Sequence, residues 1–156
     1  MSQQLQAFLA EWLPVQNKTG IDMHSGNTSS WITAWSHREP VTVFGAGVRA
    51  RSGWENVHRT ISWVASAFDN CVTYDYQLIA ADVQGDLAYT CGFERYTATR
   101  PNGEVVTNEL RVTQIYRRED GEWRIVHRHG DHAMPVDPDT ELMPSQAADR
   151  AQRTDR

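Results

Sequence analysis

Apolar side chains recur at helical spacing over residues 3–18, where Leu5, Phe8, Leu9, Trp12 and Leu13 share one side. Pro14 has no N–H to donate and crowds the preceding turn, so a kink or an early stop is expected there. Ser25-Gly26-Asn27-Thr28-Ser29-Ser30 reads as a turn, with Asn27 or Thr28 as cap of a short second helix carrying Trp31, Ile32 and Trp35. Two short strands follow, 41–44 and 48–51, joined through Gly45-Ala46-Gly47. A third helix over about 54–68 has Val57, Ile61, Val64 and Phe68 on its apolar stripe.

From Val72 the period changes from 3.6 to 2. Gln84-Gly85-Asp86, Pro101-Asn102-Gly103 and Asp120-Gly121 divide this half into four runs, 73–83, 87–99, 105–117 and 122–130. Asn-Gly and Asp-Gly tolerate positive φ and so favour tight hairpins, which makes the four runs an antiparallel meander. The expected fold is α+β, with helices packed on the concave face of a curved, mainly antiparallel sheet. The domain is expected to occupy residues 1–133. Residues 134–156, with three prolines and the polar run QAADRAQRTDR, are expected to form a mobile tail.

Composition narrows the function classes. A chain of 156 residues, 40% hydrophobic and 22% charged, is the size and make-up of one globular domain. A net charge of −5 lacks the basic face that phosphate backbones require, so nucleic acid is not an expected partner. The two cysteines, Cys71 and Cys91, have no metal-type spacing and are too few for a secreted disulfide framework. They are read as reduced thiols of a cytoplasmic protein. No secretory leader and no membrane-spanning run is expected, and a membrane is not an expected partner. Six tryptophans can supply either a dense core or the walls of a ligand pocket.

The candidate chemistry lies in His127-Arg128-His129-Gly130-Asp131-His132. Its H-x-H-x-D-H pattern also occurs as a zinc-ligand motif in the metallo-β-lactamase superfamily, but only 24 residues follow His132 and none is His or Cys. That identification is rejected. A looser face of His127, His129 and Asp131 has metal-binding residue types, but the favoured reading has no metal and no cofactor. Alternation along the last run puts Trp123, Ile125, His127 and His129 on one face, with Asp131 continuing it. In the run from Leu87, the set Leu87, Tyr89, Cys91 and Phe93 is expected inside, with Thr90 and Glu94 outward. In 109–116 the alternation decides nothing.

The element order, with Trp35–Gly47 (WSHREPVTVFGAG), Gly85-Asp86-Leu87-Ala88-Tyr89 and RVTQIYRREDGEWRIVHRHGD at 111–131, resembles the nuclear transport factor 2-like superfamily in its SnoaL-like branch. The resemblance covers about residues 3–132. It implies a cone-shaped half-barrel with a pocket in its concave face, often a homodimer, and it favours Arg111 and Thr113 inside. Members include isomerases, dehydratases, polyketide cyclases and non-catalytic binding modules, so function has to come from the site.

Carried over residue by residue, the SnoaL-type cyclase arrangement makes Asp131 the base and His129 its orienting neighbour. Removing a proton α to a carbonyl needs a desolvated base and donors at the developing enolate oxygen, roles open to Arg111, His127 and indole N–H groups. Phe44, Trp31, Trp35, Trp63, Tyr89, Phe93 and Thr113 are the expected substrate-binding walls. The resemblance to ketosteroid isomerases lacks their essential groups: Gly45 stands where a carboxylate base belongs, Thr19 near the assisting tyrosine, and Arg111 or Thr113 near the acidic donor. The expectation is cofactor-independent proton transfer on a small apolar, carbonyl-containing molecule, of cyclase, dehydratase or isomerase type. The alternative is a non-catalytic ligand-binding or oligomerisation module.

Overall fold

The structure, a computed structural model, describes residues 1–132; the stretch assigned to a C-terminal tail, 134–156, lies outside the described residues. Helix α1 spans Gln3–Met23 and begins at Ser2, whose Oγ accepts a hydrogen bond from the Leu5 amide at 3.1 Å. It runs through Pro14 rather than stopping there. Phe8, Trp12, Gln16, Thr19 and Met23 form one buried stripe four turns long, and Pro14 lies on the solvent side of it. Packing along that stripe outweighs the one hydrogen bond that proline removes.

Helix α2 is Ser29–Ala34 and α3 is Trp54–Ala65. Thr28 occupies the cap position of α2, but the capping contact comes from Asn27, whose Oδ1 accepts from the Ser29 amide at 3.0 Å. The strands are β1 (Thr42–Gly45), β2 (Val48–Ser52), β3 (Asn70–Gln84), β4 (Leu87–Thr99), β5 (Val105–Glu119) and β6 (Glu122–His132). They form one sheet in the order β2-β1-β6-β5-β4-β3. All neighbours pair antiparallel except β1 and β6, which run parallel with Phe44 opposite His129. Three helices against this curved, unclosed sheet make the α+β, cone-like fold expected from the sequence. Among the described residues no helix is long and apolar enough to cross a membrane.

An aromatic cluster ties α1 to the sheet. Phe8 meets the Tyr116 and Trp123 rings edge-on at 5.1 and 5.2 Å, and Trp12 meets Tyr116 at 4.5 Å. Trp31, Trp35, Val57, Ile61 and Ile125 complete the core around it.

The two faces of the sheet differ from the sequence reading. On β4 the buried side chains are Ala88, Thr90, Glu94, Tyr96 and Ala98, while Leu87 and Tyr89 are 54% and 40% exposed. Ala88, Thr90 and Ala98 leave room on the concave side for the large aromatics of α1, β3 and β5. On β5 the inward set is Val112, Gln114 and Tyr116, so Arg111 and Thr113 point outward. On β6 the alternation breaks. Tyr116 pairs with Ile125, but Ile115 pairs with His127, leaving Val126 as an extra residue. This β-bulge reverses the parity beyond it. Trp123 and Ile125 face inward as expected, whereas Arg128 takes the inward place and His127, His129 and Asp131 face outward.

Truncating Phe8 to Ala opens a cavity at the centre of the aromatic cluster and is expected to lower unfolding free energy by about 3–5 kcal/mol. Trp63→Ala, at a position 59% exposed, should change it by no more than about 0.5 kcal/mol. Urea titrations of both variants check this contrast.

Candidate functional site

The residues at the centre of the concave face are polar. Glu94 on β4 is 2% exposed and forms an ion pair with Arg128 of β6 at 3.0 Å. The Tyr74 hydroxyl donates to Glu94 Oε2 at 2.9 Å, and Gln16 Nε2 reaches the Tyr74 oxygen at 2.8 Å. Arg128 Nη1 donates to Gln114 Oε1 at 2.9 Å, and Gln114 Nε2 donates to Gln16 Oε1 at 2.9 Å. The guanidinium also lies over the Trp31 ring, 5.1 Å from its centroid. The network thus joins α1, α2 and strands β3 to β6.

Two glycines make room for it. A Cβ on Gly20 would stand 2.0 Å from Tyr74 Cζ, and one on Gly92 would stand 2.8 Å from Tyr76 Cζ. Only a glycine lets each phenol reach its place.

Charge in this interior is held by pairing. Burial pushes the Glu94 carboxyl pKa up, but Arg128, His24 and the Tyr74 hydroxyl together outweigh that and hold it below its ordinary 4.5. Burial works against the Arg128 charge too, and Glu94 restores it. Tyr74 is pushed well above 10 by burial and by the neighbouring Glu94 charge, so it remains a donor.

His24, the residue that ends α1, is 4% exposed and stacks on Tyr96 at 3.7 Å, with Phe68 edge-on at 4.8 Å. Its Nδ1 lies 2.7 Å from the Gly20 carbonyl oxygen. A carbonyl can only accept, so Nδ1 carries the proton and Nε2 keeps the lone pair. Burial lowers the His24 pKa below 6.5, against the opposing pull of Glu94, and leaves the ring neutral at pH 7. Two buried donors, Tyr76 Oη and Trp31 Nε1, make no hydrogen bond among the described residues. Burial raises the Tyr76 pKa, with the nearby Thr90 hydroxyl opposing, and keeps the phenol protonated.

The residues singled out from the sequence lie mostly elsewhere. Arg111 and Asp131 form a two-pronged ion pair, 2.8 and 2.9 Å, on the convex face. The Arg111 hydrogen bond holds the Asp131 pKa below its ordinary value, the opposite of what a base in a dry pocket requires. His127 Nδ1 lies 2.7 Å from the Thr42 hydroxyl, and the Phe44 ring meets His127 and His129 edge-on at 5.0 and 5.5 Å. Tyr89 and Thr113 line a shallow convex hollow, Phe93 stands under the Arg95 guanidinium on that side, and Trp63 is on the outer surface of α3. Of the expected wall residues, Trp31 and Trp35 are in the interior, both in the packed core. Among the described residues no three of His, Cys, Asp and Glu come together as a metal site.

The sequence profile of the SnoaL-like domain matches residues 22–136. The chain belongs to the SnoaL-like domain family. A nuclear transport factor 2-like superfamily protein from Salmonella enterica shares 17% identity at TM-score 0.72, over 87% of this chain and 99% of that one. A dehydratase candidate of the NTF2-like family from Streptomyces avermitilis gives 15% and 0.70, over 83% and 98%. A ketosteroid isomerase-like protein from Erwinia carotovora gives 15% and 0.66, over 86% and 100%. At such identities the likeness shows the fold. No curated protein matches the sequence.

Within this SnoaL-like domain the interior residues missed from the sequence are Glu94, Arg128, Tyr74, Gln16 and His24. One signal for them was present. A glutamate amid Thr90, Gly92 and Tyr96 on a strand whose other side is apolar has to be explained by one face or the other.

Two results are expected. Glu94→Gln leaves Arg128 buried without its partner and should cost about 3–5 kcal/mol, while the double change Glu94→Gln with Arg128→Met should recover much of the loss. The pH dependence follows from two depressed pKa values. Each group contributes stability that is full above its unfolded value and is lost as pH falls through its folded one, from 6.5 downward for His24 and from 4.5 downward for Glu94. His24→Gln should therefore flatten the upper part of the wild-type decline in chemical-denaturation curves taken between pH 7 and 4.5.

Proposed function

We propose that this domain carries out cofactor-independent acid–base chemistry on a small apolar molecule bearing a carbonyl, in the concave interior and with His24 as the base. The observation that carries the reading is a neutral, buried imidazole whose Nε2 has no hydrogen-bond partner among the described residues, coupled to the charged Glu94–Arg128 pair. Nε2 takes the proton from the carbon next to the carbonyl. Glu94 stabilises the imidazolium that forms, as its opposing effect on the His24 pKa indicates. A proton donor for the developing enolate oxygen is the second requirement of this chemistry, and Tyr76 and Trp31, buried donors without a hydrogen bond among the described residues, are our candidates for it. Returning the proton at the same or another carbon gives exchange or isomerisation; expelling a β-hydroxyl gives dehydration. The dehydratase-type and isomerase-like names among the structural neighbours agree with this class.

A second reading concerns assembly, and the convex face favours it. Phe44, Ile79, Leu87, Tyr89 and Ile115 are all at least 38% exposed there. A contiguous apolar sheet face of this kind fits a second copy of the chain, and we propose a homodimer through it. Ile115→Glu should then shift the sedimentation coefficient from dimer to monomer; an unchanged dimer contradicts this interface.

The catalytic reading is tested by α-proton exchange of cyclic ketones such as 2-tetralone in D2O, followed by NMR. Wild-type protein should exceed His24→Gln by about 10²-fold or more for at least one ketone of a panel. Equal rates across the panel would remove His24 as the base.

A further inference from the structure

We propose that the groove between β2 and α3 is a binding site for a small aromatic anion, a planar ring bearing a phosphate or carboxylate. This site is separate from the concave interior and does not rest on the catalytic reading. The groove encloses about 540 Å³, within the usual range for small-ligand sites. Arg49 and Arg51 of β2 and Arg59 of α3 line it, with Asn56 and Trp63. Asn56, Arg59, Thr60 and Trp63 follow helical i, i+3, i+4, i+7 spacing, so one stripe of α3 faces β2 while Val57 and Ile61 face the core.

Charge and shape both select the ligand. The chain carries a net charge of −5, yet this groove gathers three guanidiniums. Among the described residues neither Arg49 nor Arg51 has a carboxylate within 4.0 Å, and Arg59 has only the exposed Glu55 at 2.7 Å. Guanidinium groups recognise phosphate and carboxylate through paired, planar hydrogen bonds. Trp63 supplies the second half. It is 59% exposed, the largest such side chain on α3, and its ring edge lies against the Gly47 turn, where a Cβ would meet Trp63 Cη2 at 3.9 Å. One corner of the indole is near the turn, and most of its surface is open to a ligand. Arginines along an edge strand also discourage strand-to-strand aggregation. That role needs charge alone and leaves the exposed indole beside them without a reason.

Isothermal titration at low ionic strength tests the site with phenyl phosphate and benzoate as complete probes, and inorganic phosphate and phenol as half probes. At least one complete probe should bind about tenfold or more tighter than either half, and added salt should weaken it. Arg49→Gln with Arg51→Gln should weaken the complete probe by at least about tenfold, and Trp63→Ala should reduce it to the level of the anionic half probe. These variants lie on the surface, and an unchanged thermal midpoint shows that they fold. Absence of saturable binding by both complete probes overturns the proposal. Failure of both complete probes to bind more tightly than the half probes, or wild-type affinity in the variants, overturns it as well.

Discussion

The ion pair between Glu94 and Arg128 is the constraint on which the interior of this domain depends. Two full charges inside a cone must each be answered by a partner, and every neighbour is placed to do so. Arg128 is met by Glu94, the Gln114 amide and the Trp31 ring; Glu94 is met by Arg128, Tyr74 and the edge of Gln16. The same pair sets the field in which His24 titrates: burial lowers its affinity for a proton, Glu94 raises it, and Arg128 lowers it by a smaller amount. A hydrophobic set of equal volume would stabilise such a fold at least as well. Retaining charge, two phenols, an imidazole and two amides at the bottom of the cone is therefore difficult to explain by stability. That retention supports the proposal of acid–base chemistry in the interior.

The bulge at Val126 decides which half of the HRHGDH motif belongs to this site. Without the extra residue, strict alternation would carry His127 and His129 into the cone and turn Arg128 out. With it, Trp123 and Ile125 serve the core at one end of β6 and Arg128 serves the polar network at the other. The outward residues then make their own contacts. Asp131 is tied by Arg111, His127 is held by Thr42, and the Phe44 ring sits between the two histidines in an edge-on arrangement.

Much of the architecture was legible from period and punctuation. The 2-fold alternation after Val72, the Gly-containing hairpin turns and the apolar stripe of α3 correspond to observed elements. The extension of α1 beyond Pro14 was not legible, because it depends on Gln16, Thr19 and Gly20 facing a polar interior that apolar periodicity does not mark. Face assignment on β4 failed for a related reason, and on β5, where alternation decided nothing, the resemblance pointed to the wrong face. The rule that apolar residues point inward assumes a single apolar destination, whereas here Leu87, Tyr89 and Ile115 cover the convex side and Thr90, Glu94 and Gln114 the concave one. The bulge is a further limit. Its extra residue is an ordinary valine within an unbroken β-pattern, and only pairing with β5 reveals it.

The proposed chemistry requires His24 to be a neutral base with Nε2 as the acceptor. Long-range ¹H–¹⁵N correlation spectra of the histidine rings, recorded through a pH titration, measure tautomer and protonation together. His24 is expected to be the Nδ1–H tautomer at pH 7 and to take up its second proton only below pH 6.5. An Nε2–H tautomer, or an imidazolium already present at pH 7, would contradict it.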